Sequence, residues 1–449
     1  MTTRTLVGWR TVAARLEAGP LGRFVTLAAW QTLFLFGVDS VANVIDYLFH
    51  AYLGRSLTPG AFATVQTMNA VFLIAGTALG VLQPVVARLV SHSRGLGEPE
   101  ARRAAIFRLF VYQSLALGVA LSGLTWLGRG RLGAWLNVPP AAIALLAVAA
   151  LALLLRPVVN GMLQGQQRFV HFGLTHAFYA GGRLATALLL VGGLGLGALG
   201  GVAAMPVGAF LGLLAGLGLL GFAIWRGGQP LGASESRALL RQGWQLSLAA
   251  FVAYAAYMSL LNVDIIWINR TLAPDLAGNY ASAAVLRRII AVLPGAVLTV
   301  LFPRVALQVA QGARPDRSLL KATVAIVAST AGLAVVYFLL GGRLVHLFFG
   351  PGYSSAGHLV GWMAVGMIGA GLLAVWLNLF LASRPWPFVA VLALIAAGQL
   401  GLLAIWGRTP EAVVAVFGLT TWLGALGGAA LYFLWLRPSL GRAGAVARP

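Results

Sequence analysis

The sequence predicts an all-α membrane protein: twelve transmembrane helices in two pseudo-symmetric six-helix lobes, with both termini cytoplasmic. Three observations carry this. Of 449 residues, 60% are hydrophobic and 9% charged, where soluble domains hold about 25% charged residues; mean hydropathy is +0.89. Apolar stretches of about 20 residues, one bilayer crossing each, recur along the chain. The basic residues concentrate on alternate connections.

The spans fall near 24–50, 63–87, 107–127, 140–163, 170–196, 200–224, 244–268, 279–303, 319–341, 353–381, 386–406 and 412–435. The opening segment, MTTRTLVGWRTVAARLEAGPLGRF, has no short apolar core with a small-residue cleavage site, so it is expected to be a retained cytoplasmic tail. With that end inside, Lys and Arg divide 21 to 6 in favour of the cytoplasmic segments, the positive-inside pattern for an even span count. The net charge of +21 is then a topology signal and a match to anionic membrane lipids; nucleic acid is not an expected partner. Trp30, Trp126, Trp244, Trp267, Trp406 and Trp435 lie near span ends as an interfacial belt.

Two hairpins repeat. YLGRSLTPGAFATVQ (52–66) and WINRTLAPDLAGNYASA (267–283) each carry an arginine, a leucine two residues on and a proline two further, then an aromatic followed by alanine. Each leads at nearly equal distance to a proline, Pro84 in LQPVVA and Pro303 in LFPRVA. Spans 1 and 2 thereby match spans 7 and 8, giving an N-terminal lobe of residues 1–230 and a C-terminal lobe of residues 231–449. The lobes share one orientation, related by an axis along the membrane normal. The Gly- and Ser-rich stretch 226–243 joins them. Pro157, Pro206, Pro294 and Pro303 are expected to kink or end their helices.

Polar groups are costly against lipid, so their helical spacing shows which faces meet protein or water. Span 1 carries Gln31, Asp39, Asn43, Asp46 and His50 along one face. Gln66 and Asn69 share a face of span 2. Arg156, Asn160, Gln164 and Gln167 stripe span 4, and His176, Tyr179 and Arg183 stripe span 5. Tyr254, Tyr257 and Asp264 align on span 7; Tyr280 and Arg287 stack on span 8, with Arg288 about 100° round the helix. Spans 3, 6, 9 and 11 are almost wholly apolar. A polar compartment between the lobes accounts for this division, lined by Arg183, Arg287, Arg288, Arg156, Asn160, Tyr179, Tyr280 and Asn43. Asp39, Asp46 and Asp264 are the candidates for coupling to an ion, and equally the available partners for a purely structural arginine.

Catalytic apparatus is not found. There is no GxxxxGK[ST], GxSxG or HExxH, and Lys321 is the sole lysine. No cysteine is present and no His/Asp/Glu spacing makes a metal site, so neither a cofactor nor a metal is expected. No connection is long enough to fold as a catalytic domain. A two-lobed, polar-centred membrane protein of this kind reads as a transporter rather than an enzyme.

RTLAPDLAGNYASAAVL leading to VLFPRVA, with VNGMLQGQQRFVHFG (159–173) entering span 5, resembles the polysaccharide (O-antigen, Wzx-like) flippases of the multidrug/oligosaccharidyl-lipid/polysaccharide (MOP) superfamily. The resemblance covers most of the chain in span number and loop brevity, without the two extra C-terminal spans of the lipid II flippase type. It implies two six-helix lobes set as a V with spans 1, 2, 7 and 8 lining the cleft. It implies flipping of an undecaprenyl-pyrophosphate-linked oligosaccharide across a bacterial inner membrane by alternating access, for surface polysaccharide, in company with glycosyltransferase and polymerase machinery. A monomer suffices, since one chain supplies both lobes. On that reading Arg183 and Arg287 jointly hold the pyrophosphate, because guanidinium forks bind phosphate oxygens in pairs. A cation-coupled multidrug exporter of the same superfamily and a membrane polysaccharide polymerase or ligase are the alternatives.

Overall fold

The computed structural model describes residues 27–221, 224, 231–311 and 313–439. The N-terminal tail, part of the interlobe join and the last ten residues fall outside these. Fourteen α-helices follow in order: α1 (Leu27–Ser56), α2 (Pro59–Leu79), α3 (Leu82–Gly95), α4 (Glu100–Leu127), α5 (Arg129–Leu136), α6 (Pro140–Gly165) and α7 (Phe169–Ala187). Then come α8 (Gly197–Leu220), α9 (Ala233–Thr271), α10 (Pro274–Ala310), α11 (Asp316–Phe349), α12 (Gly357–Ala382), α13 (Pro385–Trp406) and α14 (Pro410–Leu431). No strand occurs among the described residues. Eleven helical segments are long and apolar enough to cross a membrane. The remaining long helix, α1, has 30 residues, more than the ~20 that a bilayer crossing needs.

The helices start and stop for local reasons. Thr58 caps α2 by accepting from the Ala61 N–H at 3.4 Å, and Thr409 caps α14 through Ala412 at 3.2 Å, each with proline at the first helical position. Span 2 is broken into α2 and α3, which hydropathy alone did not foretell. Pro84 has no N–H to offer the Gly80 carbonyl; the Gln83 N–H takes it instead at 3.0 Å, and the helix changes course. None of Pro157, Pro206, Pro294 and Pro303 ends its helix: α6, α8 and α10 run through them. At 39 and 37 residues, α9 and α10 are also longer than their apolar cores.

Packing repeats with an offset of six spans. In the first half α1 packs on α7, α7 on α8, α4 on α6, α6 on α8, and α3 on both α4 and α6. In the second, α9 packs on α13, α13 on α14, α11 on α12, α12 on α14, and α10 on both α11 and α12. Across the seam the main contacts run from α2 to α9 and α10.

At one end of the bundle the two repeated hairpins lock together. A Cβ on Gly60 would lie 2.7 Å from Pro274, and one on Gly278 would strike the Pro59 backbone. Each hairpin's proline thus seats on the other's glycine, where only a hydrogen fits. Asn269 of α9 donates to the last carbonyls of α5, Leu136 at 3.0 Å and Asn137 at 3.2 Å. Arg55 of α1 does the same for α11, donating to the Leu347 and Phe348 carbonyls. Phe62, Phe349 and Tyr353 fill the space between, with ring centroids 5.6–5.7 Å apart.

Candidate functional site

Two of the interior arginines are paired with aspartates. Arg287 donates to both carboxylate oxygens of Asp264, at 2.8 Å for Nη2 to Oδ1, and to the Leu261 carbonyl at 2.6 Å. Its guanidinium lies 4.2 Å from the Phe417 ring, and the Tyr280 hydroxyl donates to the same carboxylate at 2.5 Å. Arg287, Asp264 and Tyr280 are all buried. Arg183 donates to Asp46 at 2.5 Å and to Asn69 at 2.7 Å, 4.0 Å above Phe49.

Five of the candidate residues are taken up in these pairs. Arg183, Arg287 and Tyr280 do not line a shared compartment; they stitch α7 to α1 and α2, and α10 to α9. Asp264 is wholly buried in its pair, whereas Asp46 keeps its side chain 35% exposed beside Arg183, and both serve as the arginine partners the sequence offered. The reason is the low dielectric, in which a buried cation is stabilised by a carboxylate within reach, as Asp264 and Asp46 are for these two arginines. Helical spacing found the polar faces, but not which opposite charge each face would meet.

The remaining site residues do line open space. Between α1 and α10 runs a groove of about 740 Å³, bordered by Asp39, Asn43 and Tyr47 on one side and Arg288 on the other. Its outer edge is apolar, with Phe36 63% and Val44 58% exposed. A smaller cavity of about 230 Å³ lies within the first half, lined by Arg156, Asn160, His176, Tyr179, Thr77 and Gln83. Thr77, Gly80 and Gln83 also border a cleft of about 590 Å³ between the halves, alongside Arg88, Ser247 and Tyr254. Cavity and cleft are therefore neighbours on α2 and α3, away from the locked hairpins. Asp39 and His176, 3.0 Å apart, stand between groove and cavity.

Arg156 differs from the paired arginines. Its guanidinium rests 4.3 Å from the Tyr179 ring, its buried Nε has no hydrogen-bond partner, as is also true of Arg183, and, unlike for Arg183 and Arg287, among the described residues no carboxylate reaches it. Asn160 is held by the Thr175 hydroxyl at 3.0 Å. Arg288 makes a single long hydrogen bond, to Gln66 at 3.3 Å, and its buried Nη2 has none. Once the pairs cancel, the accessible interior keeps two cations with donor capacity to spare.

Tyr47, Thr77 and Gln83 border these spaces without having been singled out. For Tyr47 the signal was present: it follows Asn43 by four residues and Asp39 by eight, the same helix face. Gln83 is exposed to the cleft by the break before α3, which only the Gly80–Pro84 pairing could have revealed. Among the described residues no group of His, Asp or Glu is placed to hold a metal ion.

Neither a protein-family model nor a curated protein matches the sequence. Solved structures do match in fold. A lipid II flippase, MurJ, in an inward closed conformation superposes with TM-score 0.72 at 10% identity, covering 92% of this chain and 90% of its own. An inward-facing multidrug resistance MATE family transporter gives 0.64 at 13% identity, over 91% and 96% of the two chains. A MOP superfamily transporter from Pyrococcus furiosus, described as having a binding pocket of reversed polarity, gives 0.52 at 15% identity over 92% and 94%. The chain is thus a multi-pass membrane protein with the fold of the MOP superfamily transporters.

Proposed function

We propose that the protein flips an undecaprenyl-pyrophosphate-linked oligosaccharide across a bacterial inner membrane, for cell-surface polysaccharide. Arg156 carries this reading: a guanidinium beside a cavity that no carboxylate among the described residues reaches, in a protein that pairs Arg183 and Arg287 with aspartates, is a site for an anion. Arg288 supplies a second fork at the groove between α1 and α10, whose apolar outer edge suits a prenyl tail that stays in lipid. Asn160, Gln83, Asn43 and Tyr179 offer the hydrogen-bonding and stacking groups that sugars use.

The charge asymmetry supports an orientation with the locked hairpins outside the cell and the cleft beside Arg88 towards the cytoplasm, where a lipid-linked precursor is made. The lobes, residues 1–230 and 231–449, then rock to open the hairpin end. One chain supplies the whole path, and a polymerase and glycosyltransferases are the partners this activity requires.

Asp39, with its side chain 47% exposed, favours the alternative of a cationic drug as cargo. The two readings separate in vesicles. Reconstituted protein is given a fluorescent polyprenyl-pyrophosphate glycan or a fluorescent organic cation, with Arg156→Ala/Arg288→Ala and Asp39→Asn as variants. Glycan flipping that is lost in the double arginine variant supports the proposal. Cation transport that is lost with Asp39→Asn, without glycan flipping, rejects it.

A further inference from the structure

A chain of polar groups crosses the seam between the halves beside the groove. Arg288 of α10 donates through Nη1 to Gln66 Oε1 of α2 at 3.3 Å. Gln66 Nε2 meets His50 Nδ1 of α1 at 2.9 Å. His50 Nε2 lies 3.6 Å from Asp46 Oδ2, and Asp46 Oδ1 accepts from Arg183 of α7 at 2.5 Å. His50 and Gln66 are both buried, with the Phe49 ring edge-on to the imidazole at 5.1 Å.

The order of donors and acceptors along this chain is forced. An arginine only donates, so Gln66 must turn its carbonyl oxygen to Arg288 and its NH₂ to His50. The NH₂ also only donates, so His50 Nδ1 must be the bare nitrogen. The ring is then neutral, with its proton on Nε2 towards Asp46. A second proton on Nδ1 sets two donors face to face. Rotating the Gln66 amide relieves that clash but aims its NH₂ at Arg288 and creates another. No orientation of Gln66 serves imidazolium and guanidinium together.

We infer that His50 is a proton-binding site and that its protonation and the docking of Arg288 on Gln66 exclude one another. Taking up a proton in the first half therefore expels an arginine belonging to the second. Arg288 lines the groove between α1 and α10, so the expelled guanidinium gains a free fork there. The charged groups around His50 are Asp46 on its own helix, Arg183 across Asp46 on α7, and Arg288 on α10. On α9 and α10 the nearest other pair, Asp264 and Arg287, is closed on itself. Two of the facing charges are cations, so proton binding is strongest when Arg288 has already left. That is the linkage a proton-coupled conformational cycle needs, whatever the cargo.

The test is the titration of the His50 ring nitrogens by ¹⁵N NMR, on the full chain in nanodiscs, assigned by His50→Gln. Wild type should show the Nε2–H tautomer with Nδ1 unprotonated; an Nδ1–H tautomer overturns the proposal. Gln66→Leu keeps the charge of Arg288 but removes the opposing donor. It should raise proton affinity at least tenfold, one pH unit. An unchanged midpoint would show that Gln66 transmits nothing. Gln66→Glu, which accepts from both neighbours at once, provides the same test should the leucine variant not fold. It too must shift the midpoint upward, and a wild-type midpoint sinks the inference.

Discussion

Arg55, near the end of α1, donates through its Nε to the Phe348 carbonyl near the end of α11, 3.3 Å away and 293 residues along the chain. Asn269, near the end of α9, makes the corresponding contact to the end of α5 at 3.0 and 3.2 Å. These are similar contacts made from each half to the other: a residue near the end of each half's first span satisfies carbonyls at a helix end of the other half.

Opening the hairpin end must break both. Arg55→Ala with Asn269→Ala removes hydrogen bonds worth about 1 kcal/mol each, more for the charged donor, and should shift the closed-to-open ratio by at least tenfold. The native chain has no cysteine, so nitroxides at Leu132→Cys and Ser355→Cys report the separation cleanly by pulsed electron resonance. A distance distribution identical to that of the parent rules out a latch.

Arg287 and Asp264 should behave as a structural unit. Arg287→Ala leaves a buried carboxylate without its partner and should cost about 3–5 kcal/mol. Replacing both together, by Arg287→Met and Asp264→Leu, should recover most of that loss. Chemical unfolding in detergent measures both. A double variant as unstable as the single one would show that Arg287 acts through something other than its pair.

Arg156 should show the opposite sign. It has no ionic partner to lose, and a cation–π contact of about 0.5–2 kcal/mol is offset by no longer desolvating a charge. Arg156→Gln is expected to leave the melting temperature unchanged or raised, as groups kept for binding at the expense of stability commonly do. Binding of inorganic pyrophosphate, followed by calorimetry, should weaken at least tenfold. A marked fall in melting temperature would instead make Arg156 a structural residue.

The hairpin glycines offer a steric test. A methyl group on Gly278 meets the Pro59 backbone, which cannot yield as a flexible side chain would. Gly278→Ala should cost about 1–3 kcal/mol, the usual penalty for overpacking. Gly332→Ala, where an added methyl meets nothing within 4 Å, is the control and should change stability little. Equal effects at the two positions would deny the interlocked hairpins their role.

The bundle was legible in the sequence because lipid imposes a coarse rule: stretches of about 20 apolar residues become helices. The repeat was legible because RSLTPG and RTLAPD serve one steric purpose twice, and shared geometry kept their spacing. The polar faces were found as well, since 3.6-residue periodicity assigns Asp39, Asn43, Arg156 and Arg183 to interior stripes. Their partners were not, because Arg183 and Asp46 stand 137 residues apart and no local pattern joins them. The two arginines given first place thus proved to be the engaged ones, while Arg156 and Arg288 face open space.

By chain order α2 belongs to the first half, yet by packing it is shared, and its buried Gln66 is met by His50 of the first half and Arg288 of the second. Severing the backbone near residue 230 would therefore not yield two autonomous bundles. The leading fragment would leave the Gln66 carbonyl of α2 without Arg288, and the trailing one would leave the faces of α9 and α10 that pack on α2 uncovered. On this packing, α2 reaches its full set of neighbours only once α9 and α10 have been made.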